Sequence, residues 1–192
     1  MQSEWNQFTS ETKQQVSHYL QISKNRQEAK HILSDLFDAL PEDKFDLIAT
    51  LRIIRSSKNK REMTVAGMMA FLWIYEIEYV KCLDAFCYLL IRNGHDLFDL
   101  LRKKYVKDLK DIGKVDVYTK LNFLEEHKFG LLRRPIDETL RNKIAHHDFI
   151  IDDSGKVLVD NKEIDVGERF NQLFRFENKI FEIYSSCLES FE

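Results

Sequence analysis

The chain contains very few of the residues that interrupt helices. Its 192 residues include only two prolines and six glycines. Because these two residue types occur at most turns and breaks, this composition is typical of long helices joined by few turns. The length suits one domain with a small addition, and it is enough to bury a substantial core. We therefore predict a mainly α protein.

Apolar residues recur with helical spacing over most of the chain. Gly94 and Pro135 help to place the boundaries, because glycine often ends a helix and proline suits its first turn. Thr64 is the expected N-cap of the longest helix, and residues 56–62 form a predicted basic loop. The helices predicted from this spacing cover about residues 3–40 (one or two helices), 41–55, 65–93, 95–111, 117–127, 135–147 and 167–190.

The sequence period changes from helical to alternating after residue 148. The β-type runs, which turn-forming residues separate, lie at 149–151, 157–159 and 163–164. They predict a small β-hairpin insertion at about 149–165, before the last helix. The predicted fold class is thus mainly α, an up-and-down helical bundle with a small β-hairpin. We expect an N-terminal helical extension at 1–62, packed on a domain at 63–192.

Charge and composition exclude several classes of function. The net charge of −3 and the isoelectric point near 6.1 give no general attraction to nucleic acid, so any RNA binding must come from local basic patches. Cys82, Cys87 and Cys187 lack metal-ligand spacing, which fits a reducing compartment, and the first two are expected to be buried. The apolar run at 65–91 contains charged residues and is expected to be a core helix. With its polar N-terminus, we expect a cytoplasmic protein with no membrane partner, metal or cofactor.

One predicted helix, just before the β-hairpin, carries the pattern Arg141-Asn142-x-x-x-His146. At about 100° of rotation per residue, Asn142 and His146 are stacked neighbours on one face of this helix. Leu140 and Ile144 lie on a different stripe, which is expected to face the core. His146 is therefore expected to be exposed or to meet a second subunit.

These residue types suit the cleavage of RNA without a metal ion. A histidine can transfer protons near neutral pH, and an arginine stays protonated and binds phosphate oxygens through its planar guanidinium. An asparagine can orient the histidine or form a hydrogen bond with the substrate. Arg141, Asn142 and His146 are therefore the candidate catalytic residues.

A purely structural role for the same residues is the alternative at this point. Arg141 would then pair with a carboxylate such as Asp137 or Glu138. His146 would end the helix, where its cationic form complements the helix dipole. His147 is expected to point toward the core stripe in a packing or capping role, if the helix extends that far.

The stretch from Arg141 to His146 resembles the R-N-x-x-x-H signature of HEPN domains, and the likeness covers about residues 65–190. Members of that family are helical bundles that typically form dimers with the motif at the interface. Many are metal-independent endoribonucleases of toxin–antitoxin, phage-defence or RNA-processing systems that leave 2′,3′-cyclic phosphate ends. The resemblance implies catalytic roles for Arg141 and His146, with Asn142 in support. Other members are non-catalytic modules, so binding a protein partner or a nucleotide is the alternative function.

One branch of toxins in this family, paired with nucleotidyltransferase antitoxins, carries a tyrosine two residues after the histidine. This chain has Asp148 at that position, which argues against the same partnership. The partners that the resemblance implies are an RNA substrate, a second copy of the chain, and an antitoxin or another defence-system protein. A third interpretation is a helical dimerisation protein in which the motif only stabilises the subunit contact.

Several basic residues are candidates for contact with the RNA backbone. Arg133 and Arg134 precede the motif helix and Lys143 lies within it, so these three are the predicted RNA-binding residues. A second match to the arginine–histidine spacing, at Arg26 and His31, lacks the asparagine and the hairpin, and we treat it as accidental. Two further basic runs are most simply interpreted as solvated helix faces. They consist of Arg52, Arg55, Lys58, Lys60 and Arg61, and of Arg102, Lys103, Lys104, Lys107 and Lys110.

Overall fold

The computed structural model describes residues 2–38, 52, 56–134 and 138–191, and the protein is mainly helical over these residues. The predicted helix at 41–55 lies outside the described residues, apart from Arg52. The described helices are α1 (Gln2–Ile22), α2 (Arg26–Asp38), α3 (Lys60–Trp73), α4 (Val80–Arg92), α5 (Leu109–Ile112), α6 (Val117–Glu126), α7 (Glu138–Ala145) and α8 (Val166–Glu189), with a 3₁₀ turn at Gly130–Arg133.

A small antiparallel sheet precedes the last helix, as predicted. Its strands are β3 (Ile150–Ile151), β4 (Val157–Val159) and β5 (Lys162–Ile164), paired in that order. Asp160 and Asn161 connect β4 to β5, and their φ angles are 49° and 62°. Positive φ at both central residues is the geometry of a type I′ turn, which matches the twist of a two-residue hairpin.

Contacts along the chain define two compact units. The first unit comprises Met1–Ala39, Val80–Arg134 and Asn178–Glu192. The second unit comprises Leu40–Tyr79 and Pro135–Glu177. Each unit contains residues from both sides of position 62, so this division differs from the boundary inferred from the sequence. The domain boundary near residue 62 stays a prediction.

Aromatic side chains form the centre of the first unit. The ring centroids are 5.3 Å apart for Phe8 and Phe86, and 5.0 Å apart for Phe86 and Phe129. The ring of Tyr184 lies 5.7 Å from that of Phe86, and all four residues are at most 1% exposed. Each such ring pair contributes roughly 0.5–1.5 kcal/mol beyond the burial of its area. The cluster therefore joins α1 and α4 to the part of α8 that belongs to this unit.

A buried ion pair joins α4 to α6 within the first unit. Lys120 is 1% exposed, and its Nζ lies 2.5 Å from Oδ1 of Asp84. Burial raises the pKa of the Asp84 carboxyl, and the neighbouring ammonium of Lys120 partly offsets this effect. Because removing one member would leave a buried charge unpaired, at a cost of about 3–5 kcal/mol, the pair fixes how these two helices pack.

The three cysteines are free thiols and are buried. This confirms the expectation for Cys82 and Cys87, which lie on α4. Burial raises the pKa of the thiols of Cys87 and Cys187 above the ordinary value. Little of either thiol is therefore ionised at neutral pH, and neither is suited to act as a nucleophile.

The longest helix begins earlier than the sequence indicates. It is continuous over Lys60–Arg92 and contains a π-helical segment at Ile74–Tyr79. The predicted cap at Thr64 is wrong, because the side chain of Asn59 accepts two backbone N–H bonds in the first turn. Most of the predicted basic loop precedes the helix, but its last three residues are helical. Gly94, with a φ of 93°, follows the C-terminal end as expected.

In the described part of the chain, Lys60–Arg92 is the one helix that is long and apolar enough to cross a membrane. Of its most apolar window, 39% is buried inside the protein. A core helix of a soluble protein meets the same criterion of length and composition. The helix is thus compatible with a soluble protein.

The predicted helix at 95–111 is wrong. Its first part is a hairpin of β1 (Phe98–Asp99) and β2 (Lys104–Tyr105), and only the short α5 is helical. The carboxylate of Asp99, which is 1% exposed, accepts two backbone N–H groups of the following turn at 3.0 Å each. Such side-chain bonds offer the backbone an alternative to helical hydrogen bonding.

In the second unit, the turn between β3 and β4 lies against the start of α3. The hydroxyl of Thr64 donates to the carbonyl oxygen of Gly155 at 2.5 Å. Gly155 has a φ of 84°, and a Cβ atom there would lie 2.8 Å from Cβ of Lys60. Both the backbone conformation and the close approach therefore require glycine at this position.

We expect Gly155→Ala to lower the free energy of unfolding by about 2 kcal/mol, because alanine would be strained at this φ and would collide with α3. Gly67→Ala is the matched control, since nothing lies within 4 Å of a Cβ atom at that helical position. The control should raise stability by about 0.5–1 kcal/mol. Chemical denaturation measures both variants, and equal effects on stability would show that the contact with α3 is unimportant.

Candidate active site

The motif helix α7 presents two different faces, as predicted. Leu140 and Ile144 are buried at 0% and 4% exposure, and α7 packs on α3 through this side. Asn142 and His146 are exposed. The predicted residues 135–137 lie outside the described part of the chain. The helical periodicity therefore separated the buried stripe from the polar residues correctly.

The C-terminal end of α7 is fixed by its backbone. His147 has a φ of 58°, and its N–H donates to the carbonyl of Ile144 at 3.1 Å. The N–H of Asp148 donates to the carbonyl of Lys143 at 2.8 Å. These two bonds and the left-handed residue make a Schellman motif, in which His146 occupies the C-cap. His147 is exposed, so its predicted orientation toward the core is wrong, because the helix ends before it.

Side-chain contacts of Lys143 tie this helix end to the sheet. Its Nζ lies 2.5 Å from Oδ2 of Asp148 and 3.0 Å from Oδ1 of Asp160, in the turn between β4 and β5. Hydrogen bonds to these carboxylates raise the pKa of Lys143. Lys143, a predicted RNA-binding residue, is therefore engaged within its own unit. A phosphate would have to compete with two carboxylates for it.

Arg141 is held by residues of two helices. Nε and Nη2 of its guanidinium contact Oε1 of Glu76, and Nη1 donates to Oδ1 of Asn142 at 2.8 Å. The guanidinium carbon lies 6.0 Å from the ring centroid of Tyr75, which is buried. The expected carboxylate partners of Arg141, Asp137 and the side chain of Glu138, lie outside the part of the chain that the structure describes. Within that part, the carboxylate that Arg141 contacts is Glu76 of the long helix, 65 residues away in the chain.

The contacts of Arg141 leave part of its guanidinium free to bind an anion. A guanidinium carries five N–H donors. Glu76 takes one from Nε and one from Nη2, and Asn142 takes one from Nη1. Among the contacts that the described residues make, one N–H on each terminal nitrogen is left, and the Arg141 side chain is 32% exposed. Two remaining donors in a fixed plane are the arrangement that binds two oxygens of a phosphate.

Glu76 is the residue of this site that sequence reasoning did not assign. The sequence analysis noted only that the apolar run at 65–91 contains charged residues, and it did not connect any of them with Arg141. Glu76 lies in the π-helical segment Ile74–Tyr79, where the wider turn changes the direction of the side chains. No glycine or proline marks this segment, so it has no local sign in the amino-acid pattern. Segments of this kind occur frequently at functional sites.

The other predicted RNA-binding residues also form ion pairs. Arg133 donates to Glu125 at 3.0 Å and to Asn122 at 2.5 Å, and Arg134 pairs with Glu4. All these residues belong to the first unit, whereas the motif helix belongs to the second. Within the second unit the structure brings Arg141, Asn142 and Glu76 together. 

The second arginine–histidine match has different surroundings. Nη2 of Arg26 donates to the backbone carbonyl of Phe191 at 2.6 Å. Nδ1 of His31 lies 3.2 Å from Oδ1 of Asp35 on the same helix. The asparagine next to Arg26 is Asn25, which precedes it, and its side chain accepts the backbone N–H of Glu28 at 3.2 Å. Among the described residues, no carboxylate contacts Arg26 in the way that Glu76 contacts Arg141. The same spacing thus gives a different arrangement here, which makes this pair a useful internal control.

No family model, no curated protein and no solved structure matches this chain. Among the described residues, no group of three or more His, Cys, Asp or Glu side chains could hold a metal ion. The candidate site of the second unit consists of Arg141, its contacting partners Asn142 and Glu76, and the exposed His146.

A second polar region, in the first unit, contains a cluster of imidazoles. It is a groove of about 670 Å³ between α1, the end of α4 and the end of α6. The rings of His95 and His127 lie 4.4 Å apart, with His18 and the carboxylate of Glu11 also in the groove. Burial lowers the pKa of His95, the positive charges of His127 and His18 lower it further, and Glu11 acts in the opposite direction.

We expect this groove to make stability depend on pH. Because the pKa of folded His95 lies below its ordinary value of 6.5, the unfolded chain binds more protons than the folded one as pH falls through that value. The free energy of unfolding should therefore decrease on acidification below about pH 6.5. His95→Gln should reduce this dependence in urea titrations at a series of pH values. His31→Gln removes an imidazole outside the groove and serves as the control, and an unchanged dependence in His95→Gln would contradict the assignment.

Proposed function

We propose that the protein is a metal-independent endoribonuclease of the HEPN type, acting in the cytoplasm as a dimer. The proposal rests on one observation, the contacts that hold the Arg141 guanidinium in place and the donors that they leave. Glu76 and Asn142 fix the guanidinium, while two of its N–H donors have no partner among the described residues. The exposed His146 follows the C-terminal end of the same helix. Cleavage through the ribose 2′-hydroxyl requires a cation at the phosphate, a base for the 2′-hydroxyl and an acid for the leaving 5′-oxygen.

The proposed reaction is an internal transesterification of RNA. The 2′-oxygen loses its proton to a base and forms a bond to phosphorus, and the bond from phosphorus to the 5′-oxygen breaks. The 5′-oxygen takes up a proton from an acid, so the products are a 2′,3′-cyclic phosphate and a 5′-hydroxyl. In this proposal Arg141 binds the non-bridging phosphate oxygens, and His146 transfers one of the two protons. Asn142 supports the reaction by orienting Arg141, to which it is hydrogen-bonded.

A dimer would supply the second proton-transfer group. Each subunit carries one His146 in its motif, whereas the reaction needs both a base and an acid. A two-fold axis near α7 would place both copies of His146 at one cleft. Two further features support such an interface. Ala145 on α7 is small and exposed, and Val65 and Met69 share one face of α3 at 40% and 60% exposure.

Binding without catalysis is the second candidate function. Glu76 already neutralises Arg141, and Asp148 and Asp160 engage Lys143. A module that recognises a protein, such as an antitoxin or a defence-system partner, or a nucleotide would need no more than this rigid polar surface. The two candidates differ in whether His146 is needed for a chemical step, which makes that residue the point to test.

The native protein should cleave a mixed RNA pool in the presence of excess chelator. His146→Ala should reduce the cleavage rate by about a hundredfold or more, since it removes a proton-transfer group. His31→Ala should retain full activity, because Arg26 and His31 do not form the arrangement that Arg141 makes with Asn142 and Glu76. Analysis of the product ends should find 2′,3′-cyclic phosphates. No cleavage by a folded dimer, or equal loss in both variants, would favour the binding-module function.

Glu76→Gln should lower the cleavage rate roughly tenfold, since an amide holds a guanidinium less firmly than a carboxylate does. The variant keeps the size of the side chain, so helix packing should be preserved. Glu163→Gln is the matched control, because Glu163 forms an exposed ion pair with Lys156 at 2.7 Å in the same unit. Faster cleavage by Glu76→Gln would instead mean that Glu76 competes with the RNA phosphate for Arg141.

A further inference from the structure

The hairpin of β1 and β2 has an unusually apolar and exposed surface. Its turn carries Leu100 and Leu101, which are 69% and 79% exposed. The paired strand residues Phe98 and Tyr105 are 40% and 57% exposed, with ring centroids 5.1 Å apart. Large apolar side chains concentrated in this way on a surface mark an interaction site. We refer to residues 100–103 as the hairpin tip.

The hairpin tip is a well-ordered structure rather than a loose loop. Oδ1 of the buried Asp99 accepts the backbone N–H groups of Leu101 and Arg102, each at 3.0 Å. Its Oδ2 pairs with the Arg102 guanidinium at 3.0 Å. The backbone N–H of Val106 donates to the carbonyl of Leu97 at 2.9 Å and closes the base of the hairpin. The fold therefore holds two leucines in water, where each loses the stabilisation that burial would give.

Positive charges follow the two leucines in the chain, on the tip, after the base of the hairpin and on α5. Lys103, Lys107 and Lys110 are exposed, and in the described part of the chain none of them forms an ion pair. Lys104 pairs with Asp111 at 2.9 Å, and the charge of Arg102 is balanced by Asp99. The apolar tip is thus accompanied by cations that are available to an external anion.

We propose that the hairpin tip docks on an anionic lipid bilayer, with Leu100 and Leu101 in the acyl region and Lys103, Lys107 and Lys110 at the headgroups. A bilayer surface offers an apolar interior to the leucines and a layer of negative charge to the lysines. Entry into an apolar medium requires that backbone N–H groups be satisfied internally. The carboxylate of Asp99 already provides this for the two N–H groups in the turn.

The other occupants fit these residues less well. Self-association through the tip would bring the unpaired lysines of two copies together, and like charges repel. RNA would satisfy the lysines and could stack on the exposed ring of Tyr105, but Leu100 and Leu101, the most exposed apolar side chains of the hairpin, offer a base no ring. The sequence predicts no membrane partner because it has no uninterrupted apolar run long enough to span a bilayer. A hairpin tip that docks on the bilayer surface does not need such a run.

Vesicle co-sedimentation tests the proposal with the full chain. The protein should bind phosphatidylcholine–phosphatidylglycerol vesicles at least tenfold more tightly than vesicles of phosphatidylcholine alone, and added salt should weaken the binding. Leu100→Ser combined with Leu101→Ser should reduce the affinity at least tenfold, and so should Lys103→Glu combined with Lys107→Glu. Ile22→Ser is the matched control, because Ile22 is a 51% exposed aliphatic residue elsewhere in the first unit. The control should bind like the native protein.

A second measurement reports insertion directly. Leu101→Trp should shift its fluorescence to shorter wavelength on anionic vesicles and not on neutral ones. Binding that survives the double leucine variant, or the absence of vesicle binding by the native protein, would overturn the proposal. Loss of RNA binding in the leucine variant, with no vesicle binding by the native protein, would assign the tip to RNA instead. RNA cleavage should be unchanged in the leucine variant, so the outcome is independent of the proposed ribonuclease activity.

Discussion

The contact between Arg141 and Glu76 determines what the candidate site can do. An arginine on the surface of a helix samples many rotamers, and binding a phosphate would cost the entropy of fixing one of them. Glu76 and Asn142 restrict the guanidinium in advance, and the ring of Tyr75 lies against it. Because Glu76 belongs to the long helix, the position of the guanidinium depends on how α7 packs on that helix. The buried Leu140 and Ile144 fix this packing, so the apolar stripe supports the polar site.

The end of α7 shows a second case of local backbone geometry that serves the candidate site. The Schellman motif ends the helix at a defined residue and leaves His146 as an exposed C-cap. Lys143 connects this end to the turn at Asp160, so the sheet and the helix are held together at the motif. The small antiparallel sheet before the last helix therefore has a structural role next to the candidate site.

Features that repeat along the chain were predictable, and features that depend on one side chain were not. Apolar spacing predicted α6, α8 and the buried stripe of α7, because core burial imposes the period of the helix. The hairpin of β1 and β2 was missed, since its leucines and aromatics also occur at helical spacing. The turn bonds of Asp99 decide in favour of the hairpin. The π-helical segment and the contact of Glu76 with Arg141 were also not predicted, because both arise from tertiary packing and not from a local sequence pattern.

The presence of a basic residue near the motif did not predict where an anion can bind. Arg133, Arg134 and Lys143 were chosen for their position beside the motif, yet each pairs with a carboxylate of this chain. The chain has 32 acidic and 29 basic residues, so most cations can find an internal partner. A phosphate that displaces such a partner gains one ion pair and breaks another, and the net change in free energy is small. In the described part of the chain, the positions available to an anion are those with donors left over after pairing, as on Arg141, or with no ion pair, as on Lys103. Where an anion could bind is therefore determined by the internal ion pairs and not by the total of positive charge.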